Sequence, residues 1–191
     1  ELYASGSAAG FAQQTNVDRA NRVTVYDIAD LSKDLQTFGM MVVLEEIWAR
    51  IVKNKAEGRR TWLYIDEFHL LFANEYAASY TQGIYKRVRK YGAAATGITQ
   101  NIEELLANER ARLMLSNSDG LFLLNQQSTD ADALTDLLKL SVQQRGYFTN
   151  VQPGCGLFKT GEAVVPFDNT MDTNSHLYKV FSTKFEETYV G

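Results

Sequence analysis

Apolar residues recur along this chain in two patterns: a helical spacing of three or four residues, and short continuous runs. The longest helical pattern follows Ser32, which offers an N-cap, and continues to about Lys53. This spacing predicts a long amphipathic helix with a wide apolar face in the core. The apolar positions of that face are Leu35, Phe38, Met41, Val42, Leu44, Trp48 and Ile51.

Short runs rich in apolar and β-branched residues predict strands. A strand at residues 22–28 and a second strand, which begins at Thr61 and ends in Asp66-Glu67, flank the long helix. Together they predict the strand–helix–strand unit from which parallel sheets are built. The run at 61–65 is almost continuously apolar, which favours a strand covered on both faces. Residues 93–100 and 120–125 predict two further buried strands. The pattern therefore predicts an α/β fold with a mostly parallel sheet flanked by helices.

Helical spacing also predicts the elements between these strands. A second helix is expected from about residue 75 to Tyr91, where Gly92 ends it. Further helices are predicted at residues 103–115 and 129–140. A short helical piece follows and ends near Gly146.

The C-terminal part predicts a hairpin and a last strand. Thr160-Gly161 is a turn signal between two apolar strands at residues 156–159 and 162–167. Residues 176–183 predict a final strand. At the other end, residues 1–22 are polar and rich in Gly, Ala and Asn, which is typical of a loop.

Composition narrows the function classes. The chain has 191 residues and 45% hydrophobic content, enough for one domain with a sizeable core. Its net charge of -4 gives no global basic field, so any contact with nucleic acid must come from a local patch. Cys155 is the single cysteine, which excludes an internal disulfide. No apolar run approaches the roughly 20 residues of a spanning helix.

Two adjacent carboxylates, Asp66 and Glu67, follow the run at residues 61–65. Four apolar or aromatic residues before Asp-Glu form the Walker B pattern of nucleotide hydrolases, in which the first acid helps to hold Mg²⁺ and the second orients or deprotonates water. Ligands of open α/β sheets bind at the carboxyl ends of the strands, where these acids are expected. The structural alternative is that Asp66 caps the following helix and Glu67 decorates its first turn.

Gln100 ends the strand predicted at residues 93–100. Beside Asp66 and Glu67, its amide could contact a γ-phosphate or orient water. The alternative is that this polar end merely caps the next helix, for which Thr99 or Asn101 would suffice.

A basic cluster, Lys86, Arg87, Arg89 and Lys90, precedes Gly92. The simpler explanation is that these cations interact favourably with the helix dipole at its C-terminus. Taken alone, the cluster favours this explanation, because runs of charge usually form a solvated face. The functional alternative is a phosphate contact or an arginine finger.

Several other chemistries lack support in the sequence. No Gly-Lys-Ser/Thr tripeptide of a Walker A loop occurs in the chain. His69 and His176 are far apart, and no Cys, His and acid cluster has zinc spacing, so His69 is assigned to a helix or the core. No Gly-x-Ser-x-Gly elbow is present, and Cys155 has no convincing base.

The order of these motifs resembles one family, the ATPases of conjugative type IV secretion systems, comprising the fourth VirB component and its TraE/TrsE-like relatives. The resemblance covers nearly the whole chain, and each motif is short, so it is their joint order that is specific. The motifs lie at residues 11–17, 23–31, 63–67, 89–92, 96–101, 115–118, 154–157, 165–167 and 177–178, before Thr183.

This resemblance implies a RecA-like P-loop NTPase domain that binds ATP and Mg²⁺. Carried over by position, Asp66 would coordinate Mg²⁺, Glu67 would be the catalytic base, Gln100 would contact the γ-phosphate, and Arg89 would be the candidate arginine finger. Near rivals for the finger are Arg87, Arg110 and Arg112.

The resemblance also implies partners and a location. Relatives self-associate, often as hexamers, with other type IV secretion components at the cytoplasmic face of the inner membrane, where they power pilus biogenesis or substrate transfer. Their Walker A loop lies upstream of Glu1, so residues 1–191 correspond to the C-terminal portion of the motor domain, and we expect negligible ATPase activity from this portion alone. The alternatives are a DNA-translocating ATPase of the coupling-protein or HerA/FtsK type, and a non-enzymatic docking module.

Overall fold

A computed structural model describes residues 21–28, 30–31 and 33–182. The chain divides into two compact units, Glu1–Arg112 and Leu113–Gly191. The first unit contains α1 (Lys33–Ala56), β1 (Thr61–Ile65), a 3-10 turn (Phe68–Phe72), α2 (Glu75–Val88), a second 3-10 turn (Arg89–Tyr91), β2 (Ala93–Gly97) and α3 (Ile102–Ala107). α4 (Glu109–Ser116) crosses the boundary. The second unit contains β3 (Leu121–Leu123), α5 (Ser128–Leu138), α6 (Val142–Arg145), β4 (Cys155–Thr160), β5 (Ala163–Asp168) and α7 (His176–Phe181).

α1 and α2 pack against each other in the first unit. The helical spacing predicted for α1 is confirmed, and its Ile51 is fully buried, as is Ile84 of α2. Burying such a side chain stabilises the fold by roughly 1.5–3 kcal/mol. Near the end of the contact, the rings of Trp48 and Tyr91 meet edge to face at 4.8 Å. The predicted N-cap Ser32 lies outside the described residues.

β1 and β2 are parallel neighbours, with Thr61 opposite Ala93 and Ile65 opposite Gly97. Among the described residues, the parallel part of the predicted sheet consists of these two strands. The prediction that β1 is covered on both faces is wrong for these residues: Trp62 is 62% exposed and Tyr64 66%. One face of the sheet packs inward, and the other presents two aromatic side chains to solvent.

Residues 22–28 do not form the predicted strand. Val23 and Val25 are both more than 80% exposed. The segment is instead attached to α1, where the Arg50 guanidinium donates to Thr24 Oγ1 at 2.7 Å. β-branched residues favour a strand only where they pack on neighbours, and none of the described strands pairs with this segment. Residues 1–20 of the predicted N-terminal loop lie outside the described part of the chain.

The second unit contains an antiparallel sheet in the order β3-β4-β5. The predicted hairpin is confirmed, since Thr160 pairs with Ala163 across its turn. The strand predicted at residues 120–125 is shortened to Leu121–Leu123 and joins β4, with Leu123 opposite Leu157. Leu157 is fully buried. Phe122 is 69% exposed, so only one face of β3 is covered.

Two further predicted elements differ in the structure. The helix predicted at residues 103–115 is divided into α3 and α4 by Asn108, whose Oδ1 accepts from the N–H groups of Arg110 and Ala111. Residues 176–181 form the helix α7 instead of a strand, because Ser175 caps it by accepting the Tyr178 N–H at 3.1 Å. Thr183, the end of the predicted strand, lies outside the described residues.

Candidate functional site

The two parallel strands end side by side. Two backbone hydrogen bonds continue their pairing beyond the last strand residues: the Ile98 N–H donates to the Ile65 carbonyl at 2.8 Å, and the Phe68 N–H donates to the Ile98 carbonyl at 2.8 Å. The polar residues that follow β1 and β2 are therefore held in one small region. This region is the carboxyl edge at which open α/β sheets bind ligands.

Glu67 and Gln100 meet at this edge. Nε2 of Gln100 donates to Oε1 of Glu67 at 2.9 Å. Asp66 Oδ1 accepts the backbone N–H of Glu67 at 2.9 Å. Asp66 and Gln100 are exposed, and 40% of the Glu67 side chain is accessible, so a ligand can reach all three residues from solvent. The structure thus brings together three residues singled out from the sequence, and their chemical roles stay predictions.

The backbone of Glu67 adopts the left-handed conformation, with φ 44 and ψ 47. A residue with a side chain pays roughly 1–3 kcal/mol in such a sparsely populated region, and the conformation persists only where surrounding contacts hold it. The hydrogen bonds to Asp66 and Gln100 are two such contacts. Backbone strain at an acid that follows a strand supports a functional role for Glu67.

The alternative, in which polar residues after the strands cap the following helices, holds for Asn101. Asn74 caps α2, with its Oδ1 accepting two backbone N–H groups at 3.0 and 3.1 Å. Asn101 caps α3 by accepting one at 3.1 Å. Asp66 and Gln100 cap neither helix. Glu67 occupies the N-cap position of the 3-10 turn Phe68–Phe72, but its side chain makes no cap hydrogen bond there.

Asp66 provides the kind of ligand that Mg²⁺ requires. Proteins usually hold Mg²⁺ through one or two carboxylates together with water and substrate phosphates, rather than through a complete protein cage. Among the described residues, no group of three or more His, Cys, Asp or Glu side chains could hold a metal ion. The exposed carboxylate of Asp66 thus fits an ion that arrives with the phosphates of a nucleotide.

A buried aromatic cluster packs against the turn that carries the site. The ring of Phe68, which is 7% exposed, lies 5.1 Å from Phe72 and 5.4 Å from Tyr85. Burial raises the pKa of the Tyr85 hydroxyl above its usual range. Gly97 is needed here because a Cβ on it would lie 2.6 Å from the Phe68 ring. The turn that carries Asp66 and Glu67 therefore rests on a tightly packed apolar base.

His69 lies beside the candidate site and was not singled out for it from the sequence. Its Nδ1 lies 3.0 Å from Thr99 Oγ1 and 3.5 Å from Glu67 Oε2, and its Nε2 lies 3.8 Å from Glu104 Oε2. The assignment to a helix or the core describes its backbone and burial, because it lies in a 3-10 turn with a 10% exposed side chain. The available signal was its position two residues after Glu67.

Arg89 does not belong to this cluster. It precedes β2, whereas Glu67 and Gln100 follow the strands at their other ends. A five-residue strand is roughly 16 Å long, so Arg89 lies too far away to contact Glu67 of its own chain. Any action of Arg89 on such a site requires a second copy of the protein.

The rival arginines differ in how they are engaged. Arg87 donates to the Gly83 carbonyl at 2.8 Å and lies over the Trp48 ring at 4.3 Å. The guanidinium of Arg110 pairs with Glu75, its Nε at 2.9 Å, which ties α4 to α2. Structural contacts thus occupy two of the rivals.

Comparisons with known proteins identify the family and the fold. The family model of the TraG P-loop domain matches residues 11–154. Among solved structures, that of VirB4 of Thermoanaerobacter pseudethanolicus is similar, with a TM-score of 0.63 and 29% identity over 72% of this chain. The match spans only 37% of that VirB4 chain. No curated protein sequence matches significantly. The predicted α/β fold of the P-loop NTPase type is confirmed.

Proposed function

The chain belongs to the TraG P-loop domain family. From this membership we propose that it is part of a longer protein, the parent protein, which is an ATPase that powers a conjugative type IV secretion system. The observation that carries the proposal is the 2.9 Å hydrogen bond from Gln100 to Glu67, beside Asp66 at the ends of two parallel strands. The likeness to VirB4 supports the assignment to secretion.

The three polar residues match the needs of ATP hydrolysis. A water oxygen bonds to the γ-phosphorus while the bond from this phosphorus to the bridging oxygen breaks, and the water must lose a proton. Glu67 is the assigned base because its carboxylate is accessible and held in place. Gln100 would contact the γ-phosphate. Asp66 would hold Mg²⁺, which when bound neutralises charge on the phosphates.

The test is ATP hydrolysis by the parent protein, titrated with Mg²⁺. Asp66→Asn is expected to raise the Mg²⁺ concentration for half-maximal turnover at least about 10-fold. Loss of a residue that only orients a metal ligand already costs roughly 10-fold in metal affinity, and loss of the ligand itself should cost no less. Asp168→Asn serves as a control, because this exposed acid lies in the second unit and accepts from Thr170. An unchanged Mg²⁺ requirement in Asp66→Asn would contradict the assigned metal role, and a wild-type parent without turnover would refute the ATPase.

Self-association, in relatives often as hexamers, is part of the proposal, and the charge distribution of the first unit supports it. The segments 53–60 and 86–92, before β1 and β2, carry eight exposed cations and a single acid. The segments 66–75 and 100–112, after the strands, carry six acids and two arginines. These basic and acidic ends suit a head-to-tail contact between copies, which generates rings if the rotation closes. Such a contact would bring Arg89 of one copy to Glu67 of the next.

Charge reversal tests this contact. The parent with Arg60→Glu and Lys90→Glu is expected to associate at least about 10-fold more weakly, because like charges would then face each other. Sedimentation velocity at low and at high salt measures the association. Reversal of two cations in the second unit, Lys159→Glu and Lys179→Glu, changes the net charge equally and should leave the association unchanged. An equal loss in both double variants would argue against the basic end as the contact.

The proposed location is the cytoplasmic face of the inner membrane, together with other type IV secretion components. No helix among the described residues is long and apolar enough to cross a membrane. Direct contact with DNA phosphates is a second role that the cations of the basic end could have.

A further inference from the structure

We propose that His69 is a positioning residue that locks the carboxylate of Glu67 to the end of β2. This inference rests on the proposed function, in which Glu67 is the base. His69 touches neither nucleotide nor water in this scheme. It acts by restricting where the Glu67 carboxylate can lie.

The His69 ring is fixed by its surroundings. His69 lies in the 3-10 turn directly after Phe68, whose ring is packed between Phe72 and Tyr85. Only 10% of the His69 side chain is exposed. A ring with so little access to solvent has few rotamers available, so its nitrogens are suitable fixed points for other groups.

One ring nitrogen faces both strand ends. Nδ1 lies 3.0 Å from Thr99 Oγ1, next to Gln100, and 3.5 Å from Glu67 Oε2. Thr99 Oγ1 accepts the Asn101 N–H at 3.2 Å, while its own hydroxyl lies 3.5 Å from the Asn101 carbonyl. The nearer partner of the hydroxyl is therefore His69. The carboxylate of Glu67 is an acceptor only, so in this scheme Nδ1 carries a proton; Thr99 Oγ1 accepts from this N–H, which also attracts Glu67 Oε2.

The other ring nitrogen faces α3. Nε2 lies 3.8 Å from Glu104 Oε2, so carboxylates stand on both sides of the ring. The Glu104 side chain is 66% exposed, which makes it the weaker of the two neighbours. The contact through Nδ1 is therefore the one expected to matter.

The two oxygens of Glu67 then have separate contacts. Gln100 donates to Oε1, and His69 lies against Oε2. These two side-chain contacts therefore define where the Glu67 carboxylate points. A misplaced base slows proton transfer without changing how nucleotide binds, so the effect belongs in kcat and not in KM.

A matched pair of substitutions in the parent protein separates the two ring nitrogens. The Asn amide reaches about as far as Nδ1, and the Gln amide about as far as Nε2. His69→Gln is expected to lower kcat roughly 10-fold, as loss of an orienting outer-shell partner does, with KM within about twofold of the wild type. His69→Asn should recover most of that loss. Thr99→Val, which removes the hydroxyl, should reproduce the effect of His69→Gln.

Hydrogen exchange of residues 98–104 provides a second readout that is independent of turnover. The Asn101 N–H, which donates to Thr99, should exchange faster in His69→Gln than in His69→Asn. Equal kcat losses in both variants, or losses that follow only the thermal unfolding midpoint, would overturn the positioning role. If the wild-type parent does not hydrolyse ATP, the proposed function fails. The exchange readout remains informative in that case. If the Asn101 N–H exchanges at the same rate in His69→Gln as in the wild type, His69 does not hold Thr99.

Discussion

Glu67→Gln in the parent protein is expected to lower kcat for ATP hydrolysis by on the order of 10²-fold or more, because the amide cannot accept the proton of the attacking water. Nucleotide affinity should stay close to that of the wild type. Glutamine is the suitable replacement because it keeps the length of the side chain, and its amide can still pair with Gln100 across the 2.9 Å contact. Single-turnover rates and equilibrium titration with ATP measure the two quantities separately.

The control for Glu67→Gln is Glu162→Gln, an identical change in the turn between β4 and β5, which should leave both quantities unchanged. Retained turnover in Glu67→Gln would show that this acid is not the base. A parallel loss of ATP affinity would instead assign Glu67 to nucleotide binding.

Gly156→Ala is expected to destabilise the second unit by about 3 kcal/mol, the upper part of the range for overpacking a core. A Cβ on Gly156 would lie 2.3 Å from the Leu123 carbonyl oxygen and 2.9 Å from the Phe167 ring. The first of these atoms belongs to the backbone of the paired strand β3, so it cannot move without breaking the ladder beside the buried Leu157.

Hydrogen exchange of peptides from β4 measures this loss, since both tryptophans lie in the first unit and do not report on this sheet directly. Gly161→Asn is the matched control. Gly161 has φ 53, a Cβ added to it would meet no atom within 4 Å, and asparagine tolerates the left-handed conformation. Similar exchange rates in the two variants would mean that β3 accommodates the added methyl group.

The pattern of apolar residues correctly predicted the elements that are specified by residues close together in the sequence. α1 has an apolar face long enough to identify its period, and the hairpin has a turn signal between two apolar strands. The prediction for residues 176–181 was wrong because their apolar and aromatic side chains suggested a strand, while the decisive feature was the Ser175 cap. Likewise, residues 22–28 have a strand-like composition but no partner among the described strands.

Exposure and long-range contacts were harder to predict. Trp62 and Tyr64 alternate with apolar residues, so a strand with one exposed face looked like a strand buried on both. The meeting of Glu67 with Gln100 followed from parallel strands, because consecutive strand ends share one edge. The contact of His69 with Thr99 joins residues 30 positions apart and depends on the orientation of one ring, which no spacing rule specifies.

The exposed face of β1 gives the protein a built-in optical probe. Trp62 is 62% exposed, whereas Trp48 is partly covered, with Arg87 over its ring and Tyr91 against its edge. The fluorescence of Trp62 is therefore open to quenching by acrylamide, and its emission has the long wavelength of an indole in water. Any ligand, partner or further part of the parent that covers this face shifts that emission toward the blue, so docking there can be followed without a label.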